Sequence, residues 1–280
     1  TSVAAGGAAF DPLTGGSTTV SATAPGFDAA FPLASVAVTV SQPAITLVDA
    51  GGFQQRIGSG LQQLYRVTLD GPEHSGVTIR VTSGDPSRVL VASDGVTAGT
   101  SFIDVTFVAG DVSEDIYLQA VNGVTGITTI SATNSADGLF ASDSIAVTTE
   151  LPVLRILSLG TSKTVAAAND PFYVQPGLRN PAVTGTSFRG PQPVSAAGGT
   201  VEVLLTSSDA AVGELTTLAQ AGASVTVQIP VNATNSPTTL ASGGVEFDTL
   251  AVGTTTVSAT ALDFDPTPFP PSQVTVDVSP

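Results

Sequence analysis

The chain has no cysteine, no tryptophan and no methionine, one histidine (His74) and one lysine (Lys163). Without cysteine, neither a disulfide framework nor a thiolate-ligated zinc can hold the fold. The absence of cysteine does not by itself indicate a reducing compartment. Aromatic residues are 5% of the chain, so a core must be built from Val, Ile, Leu and Ala, without large rings. Eight Lys and Arg stand against 23 acids, leaving a formal net charge of −15. Nucleic acid and anionic membranes both call for a basic footprint, which this balance denies. It suits a surface bathed in salt or calcium, where counter-ions relieve self-repulsion. No run of 18 apolar residues offers a membrane-spanning helix. Neither an initiator Met nor a signal-type segment is present, so residue 1 is read as an internal point of a longer polypeptide.

Catalytic signatures are missing too. There is no Gly-x-Ser-x-Gly elbow, no His-Glu-x-x-His and no phosphate-binding loop. Gly58-Ser59-Gly60 begins like a dinucleotide fingerprint, but position 63 is Gln and no helical pattern follows. His74 lies in the turn-like Asp70–Gly76 segment. Its neighbour Glu73 could share acid–base work with it, yet an exposed turn histidine is the simpler reading. The chain is expected not to be an enzyme.

What is there is repetition. Phe10-Asp11, then Gly16-Ser-Thr-Thr-Val-Ser-Ala-Thr23, returns as Phe247-Asp248, then Gly253-Thr-Thr-Thr-Val-Ser-Ala-Thr260, at a constant offset of 237. Phe31-Pro32 then matches Phe269-Pro270, and Val36, Val38 and Val40 fall on Val274, Val276 and Val278. A third copy runs from Thr128 to Thr133 and from Ser144 to Thr148. Repeats of this kind decide the architecture before any other argument. Between them, Val36–Val40, Tyr65–Leu69, Val77–Val81, Ile103–Phe107, Ile116–Val121 and Val225–Ile229 alternate apolar and polar residues. A period of two with one apolar side means strands with one buried face. Gly, Pro and Asp clusters separate them, and no helical stripe appears, so a sandwich or barrel follows.

Val77-Thr-Ile-Arg-Val-Thr-Ser-Gly-Asp85 and Val201-Glu-Val-Leu-Leu-Thr-Ser-Ser-Asp209 resemble a step of bacterial Ig-like repeat domains, a strand followed by Thr-Ser-x-Asp. Phe107–Gly110, Ile116–Val121, Thr128–Thr133 and Ile145–Thr148 are similar to that family's last strands. The resemblance implies all-β, tandem Ig-like Greek-key sandwiches, two complete plus one partial. The expected limits are 1–42 for the C-terminal strands of a partial domain, 43–149 for one domain and 150–280 for another. The last carries an inserted loop at about 177–199. Since 1–42 matches the last domain best, the parent array is expected to alternate two domain types, with a unit of about 237–238 residues. Residues 1–42 would be completed by upstream sequence or by a neighbouring subunit. The family has no catalytic residues to carry over.

Candidate sites are few. Hard cations want converging oxygens, and Asp111/Glu114/Asp115, Asp263/Asp265 and Asp70/Glu73 are acidic enough for Ca2+. Acidic turns also keep strand edges soluble, and both readings stand. Phe27 and Phe264 recur at one place in a turn-rich loop, as core plugs or as anchors for a neighbour. Arg179, Phe188 and Arg189 lie in the inserted loop. That loop is either a contact surface meeting an acidic patch on an adjacent domain or subunit, or a tolerated insertion. The functional expectation is a structural segment of a long extracellular bacterial protein at the cell surface. It would form a stalk, filament, sheath or surface layer by homopolymeric contact with copies of itself. Its partners include neither nucleic acid nor an inserted membrane. The rival is an adhesin recognising a glycan or host protein through sandwich-end loops.

Overall fold

The computed structural model describes the chain except residues 1–6, 11–14, 27–34, 73, 135–137, 166, 182–186 and 268. It is all-β. Among the described residues there is no α-helix, only short 3-10 turns such as Leu240–Ser242 and Pro270–Ser272. The alternating segments are strands, and their burial follows the alternation. Every second residue of Val77–Ser83 is buried, as in Ser224–Ile229.

Four of the sheets pair into two sandwich-like arrangements. In the first, Ile45–Asp49, Gln62–Leu69, Ser113–Ala120 and Val89–Ala92 form one sheet in that spatial order. The other contains Arg56–Gly58, Asp143–Glu150, Gly126–Thr133, Val77–Ser83 and Phe102–Phe107. Their inner faces share one core, including Tyr65, Val67, Ile79, Val81, Phe107, Ile116, Leu118 and Ile130. In the second arrangement, Val153–Leu157, Asp170–Arg179, Val245–Thr249, Gly213–Thr216 and Ala221–Gly222 face Ser162–Thr164, Gln273–Ser279, Gly253–Ala261, Val201–Ser207 and Ser224–Ile229. The common core holds Phe172, Val174, Leu205, Leu215, Phe247 and Val257. The leading strands of each sheet occupy matching places in the two arrangements.

The sequence repeat is a structural one as well. Gly253–Ala261 pairs antiparallel with Gln273–Ser279, with Gly253 opposite Val278 and Val257 opposite Val274. In the first copy Gly16 lies opposite Val40 and Val20 opposite Val36. In the middle copy Gly126 lies opposite Thr149 and Ile130 opposite Ile145. All three hairpins thus share one register, residue for residue. Each opens on a glycine with positive φ, +149° at Gly16, +130° at Gly126 and +155° at Gly253, a region that L side chains avoid. That glycine is therefore required by the backbone at the same point each time.

Burial separates the copies. Val257 and Ile130 are both 0% exposed, while Val20 is 45% and Val36 61% exposed. The hairpin of Gly16–Ser21 and Ser35–Val40 is a two-stranded sheet by itself. Among the described residues, no second sheet covers its inward-type side chains. An isolated hairpin is at best marginally stable in water.

Candidate interface between the two sandwiches

The inserted stretch does not hang free. Strand Asp170–Arg179 runs into it, and Phe188–Pro191 folds back to pair with Gly177–Arg179. The chain then passes between the two sandwiches. The Gln62 amide donates to Pro193 O at 2.9 Å and the Ser195 amide to Gly60 O at 2.9 Å, while Val194 N donates to Ala233 O at 3.0 Å. Val194 therefore bridges Leu61 on one side and Val231 on the other, so a continuous run of backbone hydrogen bonds links both units. Leu61 precedes a strand of the first sandwich, yet its side chain is 0% exposed and belongs to the core of the second.

Buried amides complete the joint. Gln192 is fully buried. Its Nε2 donates to Arg56 O at 2.9 Å and to Gln63 Oε1 at 3.2 Å, and its Oε1 accepts from the Gly58 amide at 2.8 Å. Gln62 Nε2 donates to Gly95 O at 2.8 Å and to Asn232 Oδ1 at 3.0 Å. Gln119 Nε2 in turn donates to Gln62 Oε1 at 3.2 Å and to Thr97 O at 2.8 Å. Buried amides of this kind are tolerated because their donors and acceptors are matched. They also specify one docking geometry, since a shifted interface would orphan several groups at once. Gly60, at φ +72°, allows the close turn here: a Cβ on it would stand 2.4 Å from Asn122 Oδ1. Its place in the Gly58-Ser59-Gly60 run is thus a packing role.

The junction at residues 150–152, between strand Asp143–Glu150 and strand Val153–Leu157, is clamped from both sides. Glu150 O accepts from the Ser59 amide at 2.8 Å, and Pro152 O from the Asp265 amide at 2.9 Å. Arg56 Nε and Nη2 pair with the Glu150 carboxylate. Pro152 itself is buried.

The residues singled out by the sequence fall as follows. Arg189 reaches the first sandwich, where its Nη2 donates to Gly52 O at 3.3 Å and its guanidinium lies 5.6 Å from the Phe53 ring centroid. The group it meets is a carbonyl and a ring. Arg179 stays within the second sandwich, with Nε donating to Asp265 Oδ2 at 2.8 Å and Nη2 to Thr267 O at 2.9 Å. It also lies 4.6 Å from the Phe269 centroid. Phe188 stacks beneath Arg155 at 4.2 Å and sits 6.5 Å from Phe269. Phe264 packs half-buried against the second core. Phe27 and Glu73 lie outside the described residues.

Asp263 and Asp265 part company. Asp263 (φ +62°) lines a crevice of about 210 Å³ between the sandwiches, with Ser59, Gly60, Asn122 and Glu202. Asp265 is engaged by Arg179 and Thr267. Asp115 accepts from Arg66 Nε at 2.7 Å, Glu114 sits opposite Val67, and the Asp111 carbonyl lies 2.7 Å from His74 Nε2. Asp70 is an exposed turn residue. No group of three or more His, Asp or Glu suited to a metal ion occurs among the described residues. His74 Nδ1 accepts from the Gly76 amide and its ring meets Phe140 edge-on at 5.9 Å, a turn-closing arrangement.

Burial pushes the Asp265 carboxyl upward, but hydrogen bonds from the Thr267 hydroxyl and amide and from Arg179 outweigh it, holding the group below the ordinary aspartate value. A carboxyl depressed in the fold contributes stability above its unfolded pKa, and that contribution is lost as pH falls through the folded value. Asp265→Asn is therefore expected to lower stability by roughly 1 kcal/mol at neutral pH, allowing for partial exposure. The difference from the unchanged chain should vanish in acid. Melting curves taken from neutral pH downward check this, and a pH-independent difference would contradict it.

The Gln–Asn network is what sequence reading missed. One signal was available: Gln63 shares the inward parity of Tyr65, Val67 and Leu69, so a polar residue stood where an apolar one was due. Gln119 and Gln192 carry no such mark.

No family model matches this chain, and no curated protein is similar to it. Among solved structures, trypsin-activated alpha-2-macroglobulin from Escherichia coli aligns with 85% of this chain and 16% of its own, at 10% identity and a TM-score of 0.28. This chain thus spans about 16% of that protein's length.

Proposed function

We propose that this chain is a structural segment of a long extracellular bacterial protein, built from tandem Ig-like Greek-key sandwiches, two complete and one partial. Its work is mechanical: it sets length and direction in a stalk, filament, sheath or surface layer, and performs no chemistry. The observation that carries this reading is the path of Phe188–Ser195, which is spent on fixing one sandwich against the next. A spacer needs fixed angles between beads, and matched buried amides supply them. The charge of −15 keeps such a surface soluble in a salty medium. The adhesin alternative would need the loop at 177–199, or the loop of Phe264 and its counterpart Phe27, free for a ligand. Much of the first is occupied in the joint and Phe264 packs against the second core, which favours the spacer.

Immunogold electron microscopy on intact source cells tests the proposal, using antibodies raised against the whole chain. Label at regular intervals along a surface filament or layer is the expected result. An unlabelled surface, with label confined to the cell interior in thin sections of the same cells, would overturn it.

A further inference from the structure

We propose that the N-terminal hairpin, Gly16–Ser21 with Ser35–Val40, is an exchangeable element. It seats in the C-terminal sandwich of a second copy of this chain, in the slot of Gly253–Ala261 and Gln273–Ser279. This goes beyond the spacer reading and stands on the hairpin alone, whatever the assembly is for.

The occupant of the bare face is defined by its own duplicate. The side chains that hairpin Gly253–Ser279 turns to its core are Thr255, Val257, Ala259, Val274, Val276 and Val278. Their counterparts in the first hairpin are Thr18, Val20, Ala22, Val36, Val38 and Val40, identical at all six positions. The paired register and the positive-φ opening glycine are the same. Even the buried hydroxyl is kept. Thr255 Oγ1 lies 2.8 Å from Ser207 Oγ and accepts the Asp209 amide at 2.9 Å, and Thr18 carries the same group. Seated in that slot, the hairpin would regain Val201–Ser207 along one edge and Ser162–Thr164 along the other, the neighbours its duplicate has. Exchange of an identical element has little intrinsic cost, because the incoming copy restores the same packing and hydrogen bonds.

The middle sandwich is a worse host. Its hairpin has Ile130, Ile145 and Thr149 where the first has Val20, Val36 and Val40. Valine in an isoleucine site leaves a cavity, and Val40 lacks the hydroxyl that Thr149 donates to Gly126 O at 3.2 Å. Donor and acceptor lie on different parts of the chain, so the contact is head-to-tail and propagates unless the rotation closes a ring.

In a folded copy the resident hairpin competes for its own slot, tethered by a short loop at an effective concentration of about millimolar. Refolding at high concentration, or removing the resident hairpin, opens it. The lack of cysteine lets engineered thiols report the pairing without background. Leu204 faces Thr260 across the strands, and Thr23 is the counterpart of Thr260. The test chain therefore carries Thr23→Cys and Leu204→Cys, refolded from denaturant at about millimolar concentration and oxidised. We expect a ladder of disulfide-linked dimers and larger species on non-reducing gels. Thr23→Cys with Arg80→Cys probes the middle slot, where Arg80 faces Thr133, and should stay monomeric. Monomer alone from the refolded chain carrying Thr23→Cys and Leu204→Cys would overturn the proposal. So would an equal yield of disulfide-linked dimer from Thr23→Cys by itself, which would mean that the bare hairpins pair with each other.

Discussion

Gln192→Leu is expected to uncouple the two sandwiches, so that a chain unfolding in one transition unfolds in two. The leucine matches the volume but removes an amide that is 0% exposed and holds three partners, the Gly58 amide, Arg56 O and Gln63 Oε1. Each buried group left without a partner costs about 1–3 kcal/mol. Some relief comes from rotation of the Gln63 amide, so a net loss of about 3 kcal/mol is the working figure. The two cores are otherwise separate, and the loss falls on what ties them. Scanning calorimetry should show one endotherm for the unchanged chain and two for the variant. Coincident transitions in the variant would mean that the remaining ties, the backbone link through Val194, the Leu61 side chain and the Gln62–Asn232 bond, suffice to couple the units.

Leu61→Ala should destabilise the sandwich to which its own strand does not belong. Leu61 leads into Gln62–Leu69 of the first unit, but its side chain is packed in the second core. Truncating a buried leucine costs about 2–5 kcal/mol, through lost transfer energy and the cavity left behind. Hydrogen exchange read by mass spectrometry should therefore show weakened protection over 172–174, 203–205 and 225–229. Strands 77–81 and 116–118 should be nearly unchanged. Val67→Ala, a truncation within the first core, should give the opposite pattern. If Leu61→Ala weakened only the first unit, the assignment of that side chain would be wrong.

These two residues mark where sequence reasoning stops. Alternation over Val77–Val81 and Val225–Ile229 identified strands because burial on one face imposes a period of two, whatever lies opposite. The Gly-x-Thr-Thr-[Val/Ile]-Ser-Ala-Thr repeat identified matching hairpins for a similar reason. The positive φ of Gly16, Gly126 and Gly253 admits no other residue comfortably, and the inward Thr, Val and Ala recur at alternate places. Leu61 gave no warning. An apolar residue at a strand end looks the same whichever core receives it. Gln119 breaks no pattern either, since it has outward parity in Ser113–Ala120 and is buried only because other loops and Gln62 cover that face.

The inserted segment shows the same limit. Its length and its Pro and Gly content marked it as a departure from the repeat, and its arginines suggested an acidic partner. Arg179 instead turns to Asp265 in its own unit, and Arg189 to a carbonyl and a ring. The groups that cross the junction are largely backbone and amide, and these carry no charge signature.

Local order was written in the chain itself: strand positions, the matching hairpins and the aliphatic character of the cores follow from short-range rules of side-chain parity and backbone sterics. Tertiary structure alone decided which core receives Leu61 and where Gln192 finds its partners. Those depend on what approaches from more than 100 positions away, and only the folded chain brings such groups within hydrogen-bonding distance.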